Sequence, residues 1–306
     1  MMATLPVHLK TIKDFHRFSK LPAPQHPLVS VIDYSTIPFD PENNAVTRVM
    51  DFYSITLKSD FTAKIKYGLR DCDFDDGTMF FMAPGQVFSV DTEKNVKTRK
   101  SGWILLIHPD FLHGTTLAKE IKRYEYFDYS VFEALFLSEK EKLAITGIMH
   151  AIHHEAAQNI DAFSQNIIIS HIELLLSYAE RFYHRQFITR KTINHQILDQ
   201  LEIVLNGYFN DEKLIDKGLP TVQYVADSLN LTPNYLSGVL KSLTGRSTQQ
   251  HLHDRLIEKA KEQLAGTTLS VSQIAYSLGF EHPQSFTKLF KAKTNFSPLA
   301  FRQSFN

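Results

Sequence analysis

Cysteine is all but missing from this 306-residue chain. Cys72 stands alone, so an intramolecular disulfide and a multi-cysteine zinc site are both excluded, and a cytoplasmic, reducing setting is the expectation. Long apolar runs are missing as well. The most apolar stretch, Ile167 to Leu176, is interrupted by Ser170, His171 and Glu173, short of the roughly 20 residues a membrane span needs. The N-terminus, MMATLPVHLKTIKDFHRF, carries charges where a signal peptide would be apolar. No membrane partner is expected. Net charge is also absent, since 33 Lys and Arg balance 33 Asp and Glu, and no global basic field announces a nucleic acid. The balance is uneven, however: from Pro220 onward nine cations face five anions.

What is present divides the chain into regions of different pattern. Residues 1 to 28, with Pro22, Pro24 and Pro27, suggest an extended lead-in segment. LVSVIDYSTI, RVMDFYSITLKS, TAKIKYGL, GTMFFMAP, VFSVDT and SGWILLIHP then read as short strands separated by turn residues, a small sandwich or barrel of antiparallel strands over residues 1–135. A helical segment, 136–190, follows. Ser138 and Glu141 form a capping box for its first helix, and Asp161 opens a longer second one. There Ile168, Ile172, Leu175, Ala179 and Phe182 recur at spacings of four, three, four and three, a seam that suits a homodimer interface or core packing equally well.

Residues 195–306 read as wholly helical, and their last part is the most informative: LSVSQIAYSLGFEHPQSFTKLFKAKTNFSPLAFRQ. Ser270 is an N-cap for a short helix carrying Val271, Ile274, Ala275 and Leu278, and Gly279 suits a tight turn. Pro283 starts a second helix with Phe286, Leu289 and Phe290 on one face and Gln284, Thr287, Lys288 and Lys291 on the other. Two short helices around a glycine turn, the second presenting polar and basic groups, have the form of a helix-turn-helix DNA reader. Units at 221–243 and 270–293 repeat this form. Ala226 corresponds to Ala275 and Leu229 to Leu278 at an offset of 49, while Leu236 matches Phe286, Leu240 matches Phe290, Lys241 matches Lys291 and Ser247 matches Ser297 at 50. Between the copies TQQHLHDRLIEKAKEQL is predicted to be a rigid linker helix with Leu252, Leu256, Ile257, Ala260 and Leu264 on one face. At about 1.5 Å per residue it suits readers placed roughly one DNA turn apart.

These features resemble the C-terminal DNA-binding domain of the AraC/XylS family of bacterial transcription regulators. The second unit carries the motif residues Ile274-Ala275, Gly279-Phe280, Ser285-Phe286, Phe290-Lys291, Phe296-Ser297-Pro298 and Phe301-Arg302. Asn295 and Asn230 stand where the family commonly has glycine, and asparagine also tolerates the left-handed conformation. Strands followed by two helices, with GTMFFMAPGQ, are similar to the family's cupin-like sensing domain. The fold so implied is α+β: a β-rich cupin-like barrel with two following helices, then an all-α domain of two helix-turn-helix units joined by a linker helix. Carried over residue by residue, the base-reading positions are Asn234, Ser237 and Gly238 in the first reading helix and Pro283, Gln284, Thr287 and Lys288 in the second. Gln284 suits adenine and Lys288 guanine, and Gly238 offers no side chain, so the second reader is expected to carry more of the sequence information. Thr232, Lys241, Ser242, Lys291 and Ser297 are expected to contact phosphates.

Other chemistry finds less support. Metal cupins carry an HxH pair, and no histidine occurs between Leu28 and Trp103. His150, His153 and His154 cluster beside Glu155 without the HExxH order, so an exposed helical face is the reading there, and His251 and His253 diverge at i, i+2, which disfavours a joint metal site. Cys72 lies between Asp71 and Asp73, whose charges oppose a thiolate, and Asp71, Asp73, Asp75 and Asp76 lack the closing glutamate of a calcium loop. Neither a phosphate loop nor any cofactor is indicated, and the chain is not read as an enzyme. The expectation is a sequence-specific regulator, an activator, binding double-stranded promoter DNA as a homodimer and working with RNA polymerase. A small-molecule effector would lie among the strand aromatics Tyr34, Phe52, Phe81 and Trp103. The alternatives are a ligand-independent regulator controlled by abundance or a protein partner, and a ligand-binding or enzymatic cupin with a helical interaction tail.

Overall fold

The computed structural model describes residues 6–38, 46–59, 66–67, 70–71, 77–88, 101–130, 133–158, 161, 163–189, 191–210 and 218–304, in two units, Met1–Gln186 and Phe187–Asn306. Cys72, Asp73, Asp75 and Asp76 lie outside the described residues. In chain order the first unit contains β1 (Val7–Leu9), α1 (Ile12–Phe18), β2 (Val29–Asp33), β3 (Arg48–Met50), β4 (Tyr53–Ser59), β5 (Lys66–Tyr67), β6 (Arg70–Asp71), β7 (Thr78–Met82), β8 (Val87–Phe88), β9 (Ser101–Ile107), α2 (Leu117–Glu120), β10 (Leu135–Phe136), α3 (Glu139–Ala156) and most of α4 (Ser164–Thr189).

The main sheet is antiparallel in the order β10-β7-β4-β9-β2, with Ile55 opposite both Phe81 and Leu105. Because side chains alternate along a strand, that register puts Tyr53, Ile55, Leu57, Met79, Phe81, Trp103, Leu105 and Ile107 on one face. Ile32, Ile104 and Leu106 occupy the other, where they join Leu9, Ile12, Phe15, Met50 and Phe52 in an apolar layer. A second sheet, β1-β3-β8, contributes to that layer, and β5 pairs with β6. Here the all-antiparallel expectation is corrected: β1 runs parallel to β3, Val7 beside Arg48. The lead-in is corrected too. Residues 7–18 form a strand and a helix whose Thr11 and Asp14 make a capping box, and Ile12 and Phe15 are core residues. Elements of three and seven residues are too short to show a period, and the prolines begin only after them.

The helical segment belongs with the strands. Ser138 and Glu141 form the expected capping box of α3, and Arg185 on α4 donates to both carboxylate oxygens of Glu141 and to the Phe136 carbonyl. Gln186, buried, donates to the Ala134 carbonyl and accepts from the Phe136 amide, clamping β10. Tyr126 donates its hydroxyl to the Leu176 carbonyl at 3.0 Å. The α4 seam is consequently consumed inside the chain. Ile168, Ile172, Leu175, Ala179 and Phe182 are all buried, so the dimerisation role is corrected in favour of core packing. The face of α4 left open carries Phe163, Ile167, Ser170, Leu174 and Ser177 instead, again at spacings of four, three, four and three.

The second unit is helical: α5 (Lys191–Asn210), α6 (Val222–Ser228), α7 (Pro233–Thr244), α8 (Thr248–Gly266), α9 (Val271–Ser277), α10 (Pro283–Thr294) and α11 (Pro298–Gln303). Linker helix α8 buries Leu252, Leu256, Ile257, Ala260 and Leu264, the five residues its pattern predicts. Among the described residues no helix is long and apolar enough to cross a membrane.

Candidate nucleic-acid interface

Each helix-turn-helix unit is built by a side-chain cap on its first helix and a left-handed residue at the turn. In the first, the Thr221 hydroxyl accepts from the Tyr224 amide to start α6, and Asn230 turns the chain at φ 54°. Thr232 then caps α7 by accepting from the Tyr235 amide, and Gly245 ends that helix at φ 73°. In the second, Ser270 and Gln273 form a capping box for α9, Gly279 turns at φ 85°, and Asn295 ends α10 at φ 63°. Asparagine and glycine have exchanged places between the copies, and both serve the left-handed position. The copies differ at one cap: His282 makes no side-chain bond to the start of α10.

The matching positions carry the same packing. Ala226 and Ala275 are buried, as are Leu236 and Phe286, and Leu240 and Phe290. Phe286 packs against Phe280 and Phe290, and Phe290 meets Phe301 edge-on. With that face inward, Asn234, Ser237, Gly238 and Lys241 of α7 repeat as Gln284, Thr287, Lys288 and Lys291 of α10, each set at i, i+3, i+4 and i+7 on one outer stripe. Gln284, Lys288 and Lys291 are exposed, Pro283 and Thr287 half-buried; on α7 Lys241 is exposed, and Asn234, Ser237 and Gly238 are half-buried. The Thr287 hydroxyl donates to the Pro283 carbonyl at 3.0 Å, which leaves its methyl group and both oxygen lone pairs unused by that bond. Of the residues assigned to phosphate, Lys241 and Lys291 stand exposed in the last turns of α7 and α10, and Ser242 is half-buried. Thr232 caps α7, and Ser297 caps α11 by accepting from the Ala300 amide at 3.1 Å, so both have structural work as well.

Charge around the readers is arranged by a residue the sequence reading passed over. Asp254 on α8 accepts from Arg246, just past the end of α7, at 2.9 Å and from Lys293, in the last turn of α10, at 2.8 Å. Burial raises the Asp254 pKa, but the Lys293 hydrogen bond and the Lys293 and Arg246 charges outweigh it, and the carboxyl is held below its ordinary value. Two of the nine cations are thereby paired with one anion. Lys241, Lys288 and Lys291 have no carboxylate partner among the described residues. The linker histidines diverge as expected: His251 meets the Thr244 hydroxyl at 2.9 Å, whereas His253 lies where the Lys293 charge lowers its pKa, after burial. Proximity in space, not sequence, makes the Asp254 bridge, which joins residues 8 and 39 positions apart.

In the first unit, the four aromatics expected to line one pocket are separated by the sheet. Phe81 packs with Tyr126, Phe127 and Tyr183, and Trp103 lies 4.5 Å from the His150 ring and near His153 on α3. Phe52 and Tyr34 belong to the apolar layer on the opposite side. A shared pocket is therefore corrected to two pairs, because Phe81 and Trp103 share one face of β7 and β9, whereas Phe52, just before β4, and Tyr34, just after β2, pack in the layer on the other side. Among the described residues, no three His, Cys, Asp or Glu side chains are grouped to hold a metal.

Known proteins resemble this chain in the same region. Residues 225–304 match the family described as Helix-turn-helix domain. The uncharacterized HTH-type transcriptional regulator YfiF of Bacillus subtilis (strain 168) is 25% identical over 244 residues, 77% of this chain and 71% of that protein. The HTH-type transcriptional activator RhaS of Escherichia coli O1:K1 / APEC is 37% identical over 79 residues, 26% of this chain and 28% of that protein. Among solved structures, the C-terminal domain of AraT, a response regulator from Geobacillus stearothermophilus, is 28% identical, covering 35% of this chain and 84% of that one with a TM-score of 0.31. The C-terminal region of this chain is a DNA-binding helix-turn-helix domain of the AraC type.

Proposed function

We propose that this chain, whose C-terminal region is an AraC-type helix-turn-helix domain, is a cytoplasmic transcription regulator that reads double-stranded promoter DNA with both outer stripes. One observation carries the reading: Asn234, Ser237, Gly238 and Lys241 stand at the positions of Gln284, Thr287, Lys288 and Lys291 on helices that both start at a proline, end at a left-handed residue and bury matching residues, Leu236 with Leu240 and Phe286 with Phe290. A duplicated apolar core explains the matched buried residues; a repeated partner also accounts for the stripe at corresponding positions of both helices, which ends in an exposed lysine each time, Lys241 and Lys291. The repeated partner is DNA, whose major groove returns every helical turn.

In this reading the second reader carries most of the base information, through Gln284 and Lys288, and Lys241 and Lys291 neutralise phosphates. The first unit senses a small molecule, and the chain acts as an activator in contact with RNA polymerase, as the word activator in the name of RhaS suggests for that protein. It works as a homodimer, and the pairing face is moved from the buried seam to Phe163, Ile167 and Leu174, whose exposures of 69%, 42% and 46% leave apolar surface in a heptad-like row.

Selection of binding sites from genomic DNA, followed by titration of the best site against a scrambled one at fixed salt, tests the function. A specific-to-nonspecific ratio of about 10³ or more supports it, and a ratio near one overturns it. Thermal melts across a small-molecule panel test the sensing role, because saturation at 100 times Kd adds about 2.7 kcal/mol.

A further inference from the structure

We infer that Asp254 is a positioning residue for DNA recognition: by holding Arg246 at the end of the first reader and Lys293 at the end of the second, it fixes the spacing between half-sites that the two readers accept. The inference rests on the reading of this domain as a two-headed DNA reader and deepens it, by naming what sets the distance between the heads.

The bridge lies outside the duplication. At the offset of 50 that relates the copies, Arg246 corresponds to Phe296, Asp254 to Ser304 and Lys293 to Leu243. None of the three has a charged counterpart. What a reader needs for its own fold and its own stretch of DNA is present in both copies, as the buried pairs and Lys241 with Lys291 are. A contact made once, between the copies, serves the relation between them.

The geometry suits that role. Asp254 spends one oxygen on each cation: Oδ2 accepts from Nη1 of Arg246 at 2.9 Å, and Oδ1 accepts from Nζ of Lys293 at 2.8 Å. Lys293 follows Lys291 by two residues, about 200° around the helix, so it leaves α10 away from the outer stripe. Arg246 follows Gly245, where α7 ends, and the same end is tied to α8 by His251, whose Nε2 lies 2.9 Å from the Thr244 hydroxyl. A second set of polar contacts holds the second reader farther along α8. The Ser277 hydroxyl donates to Gln263 Oε1 at 3.0 Å, and Arg302 Nε donates to the Leu264 carbonyl at 3.1 Å. Asp254 and Gln263 stand about 14 Å apart along the helix. One anchor leaves a hinge, whereas two anchors at that separation resist rocking of α9 and α10 against α8. The buried apolar face cannot do this alone, because its attraction has no direction. Burial works against the Asp254 charge, and the Lys293 hydrogen bond with the Lys293 and Arg246 charges overcomes it, so the bridge is ionised at neutral pH.

One base pair added between the half-sites moves one of them by about 3.4 Å and turns it by about a tenth of a helical turn. Readers held in one relation meet the original spacing and not the altered one. Loosened readers follow both.

The test uses the full-length protein and the DNA site selected from the genome, with the base pairs under each reader located by a substitution scan and one base pair then inserted or deleted between them. Anisotropy titrations at fixed salt give the spacing penalty, the ratio of affinities for the original and altered sites. Wild type is expected to show a penalty of about tenfold or more, the scale of a mismatched base pair. Asp254→Asn, Arg246→Gln and Lys293→Gln are each expected to cut that penalty about threefold, the scale of an exposed ion pair. Removing the anion raises affinity for all DNA and removing a cation does not, so a fall in the ratio shared by the three variants separates position from charge. A wild type that is sequence-specific but indifferent to spacing overturns the inference, as does a penalty that Asp254→Asn leaves unchanged. A penalty unchanged in both cation variants overturns it whatever Asp254→Asn does, so the test stands even if that variant fails to fold. A wild type that binds all DNA alike overturns instead the reading of the domain as a sequence-specific reader.

Discussion

Gly218 and Gly279 lie backbone against backbone: a β-carbon added at Gly279 would sit 2.7 Å from the Gly218 carbonyl carbon and 3.0 Å from its oxygen. The same carbonyl accepts the Tyr208 hydroxyl at 3.0 Å. The chain that leads into the first reader is thus laid across the turn of the second. Gly279 is needed twice, for its φ of 85° and for the space it leaves.

Gly279→Ala is therefore expected to cost about 2–4 kcal/mol, the left-handed penalty of about 1–2 plus a backbone collision. Gly245 has a similar φ of 73° and nothing within 4 Å of an added β-carbon, so Gly245→Ala should cost only about 1–2 kcal/mol. Urea denaturation of both variants followed by circular dichroism measures the difference. Equal losses would show that the close approach does not constrain the turn.

The two reader lysines should separate by kind of loss. Lys288→Ala is expected to lower affinity for the selected site by about 1–3 kcal/mol and to relax preference at one base pair. Lys291→Ala should weaken all sequences alike and reduce the slope of log affinity against log salt by about 0.9. Anisotropy titrations over a range of salt distinguish the patterns.

Asp254→Asn removes the shared partner of Arg246 and Lys293. All three side chains are about a third or more exposed, so the stability loss at neutral pH should stay below about 1 kcal/mol. Nonspecific DNA affinity should rise, because two cations lose their internal anion. The Asp254 pKa is lowered in the folded chain, so its contribution is present above the ordinary 3.8 and is lost as pH falls through the folded value. Melts of wild type and variant should converge in acid.

His16 gives the first unit a pH dependence of its own. Its Nδ1 lies 2.6 Å from the Pro22 carbonyl and its Nε2 2.9 Å from the Ser30 hydroxyl, so the neutral ring donates to one and accepts from the other. Burial lowers its pKa against the Pro22 hydrogen bond, and His26 is shifted the same way by burial. The unfolded chain then takes up protons more readily, so stability is full above 6.5 and declines as pH falls from there toward the folded value. His16→Gln should be less stable at pH 7 by about 1–3 kcal/mol and should show a shallower decline. Melting temperatures from pH 7.5 down to about 5 test both statements.

Neighbours on α4 should behave oppositely. Leu175 is fully buried and Leu174 is 46% exposed. Leu175→Ala is expected to cost about 2–5 kcal/mol of stability, while Leu174→Glu should leave the fold intact and weaken self-association. Sedimentation equilibrium and thermal melts on the two variants give the answer, and a Leu174→Glu protein that associates unchanged would exclude this face.

The local chemistry of the readers is legible in the sequence. Caps at Ser270 and Ser138, the left-handed Asn230 and Asn295, and the five buried residues of α8 are each decided within one or two helical turns, where spacing alone assigns a face. The duplication is legible for the same reason, since offsets of 49 and 50 preserve those local patterns. Pairings between distant segments are not written in any period. A heptad row on α4 reads the same whether its partner is a second chain or the strands of its own, and only the packing of Tyr126 onto α4, with the bonds of its Arg185 and Gln186 to Phe136 and Ala134, showed that Ile172 and Leu175 are spent internally. Likewise Phe52, Phe81 and Trp103 are alike as strand aromatics until register assigns the sheet face, and register is set by which strands hydrogen-bond. The bridge from Asp254 to Arg246 and Lys293, the contact of Gly218 with Gly279 and the meeting of Arg48 with Tyr34 have the same origin. The sequence determined what each short segment is, through forces that act over a few residues; the tertiary structure decided which segments meet, through burial and hydrogen bonding across tens of residues.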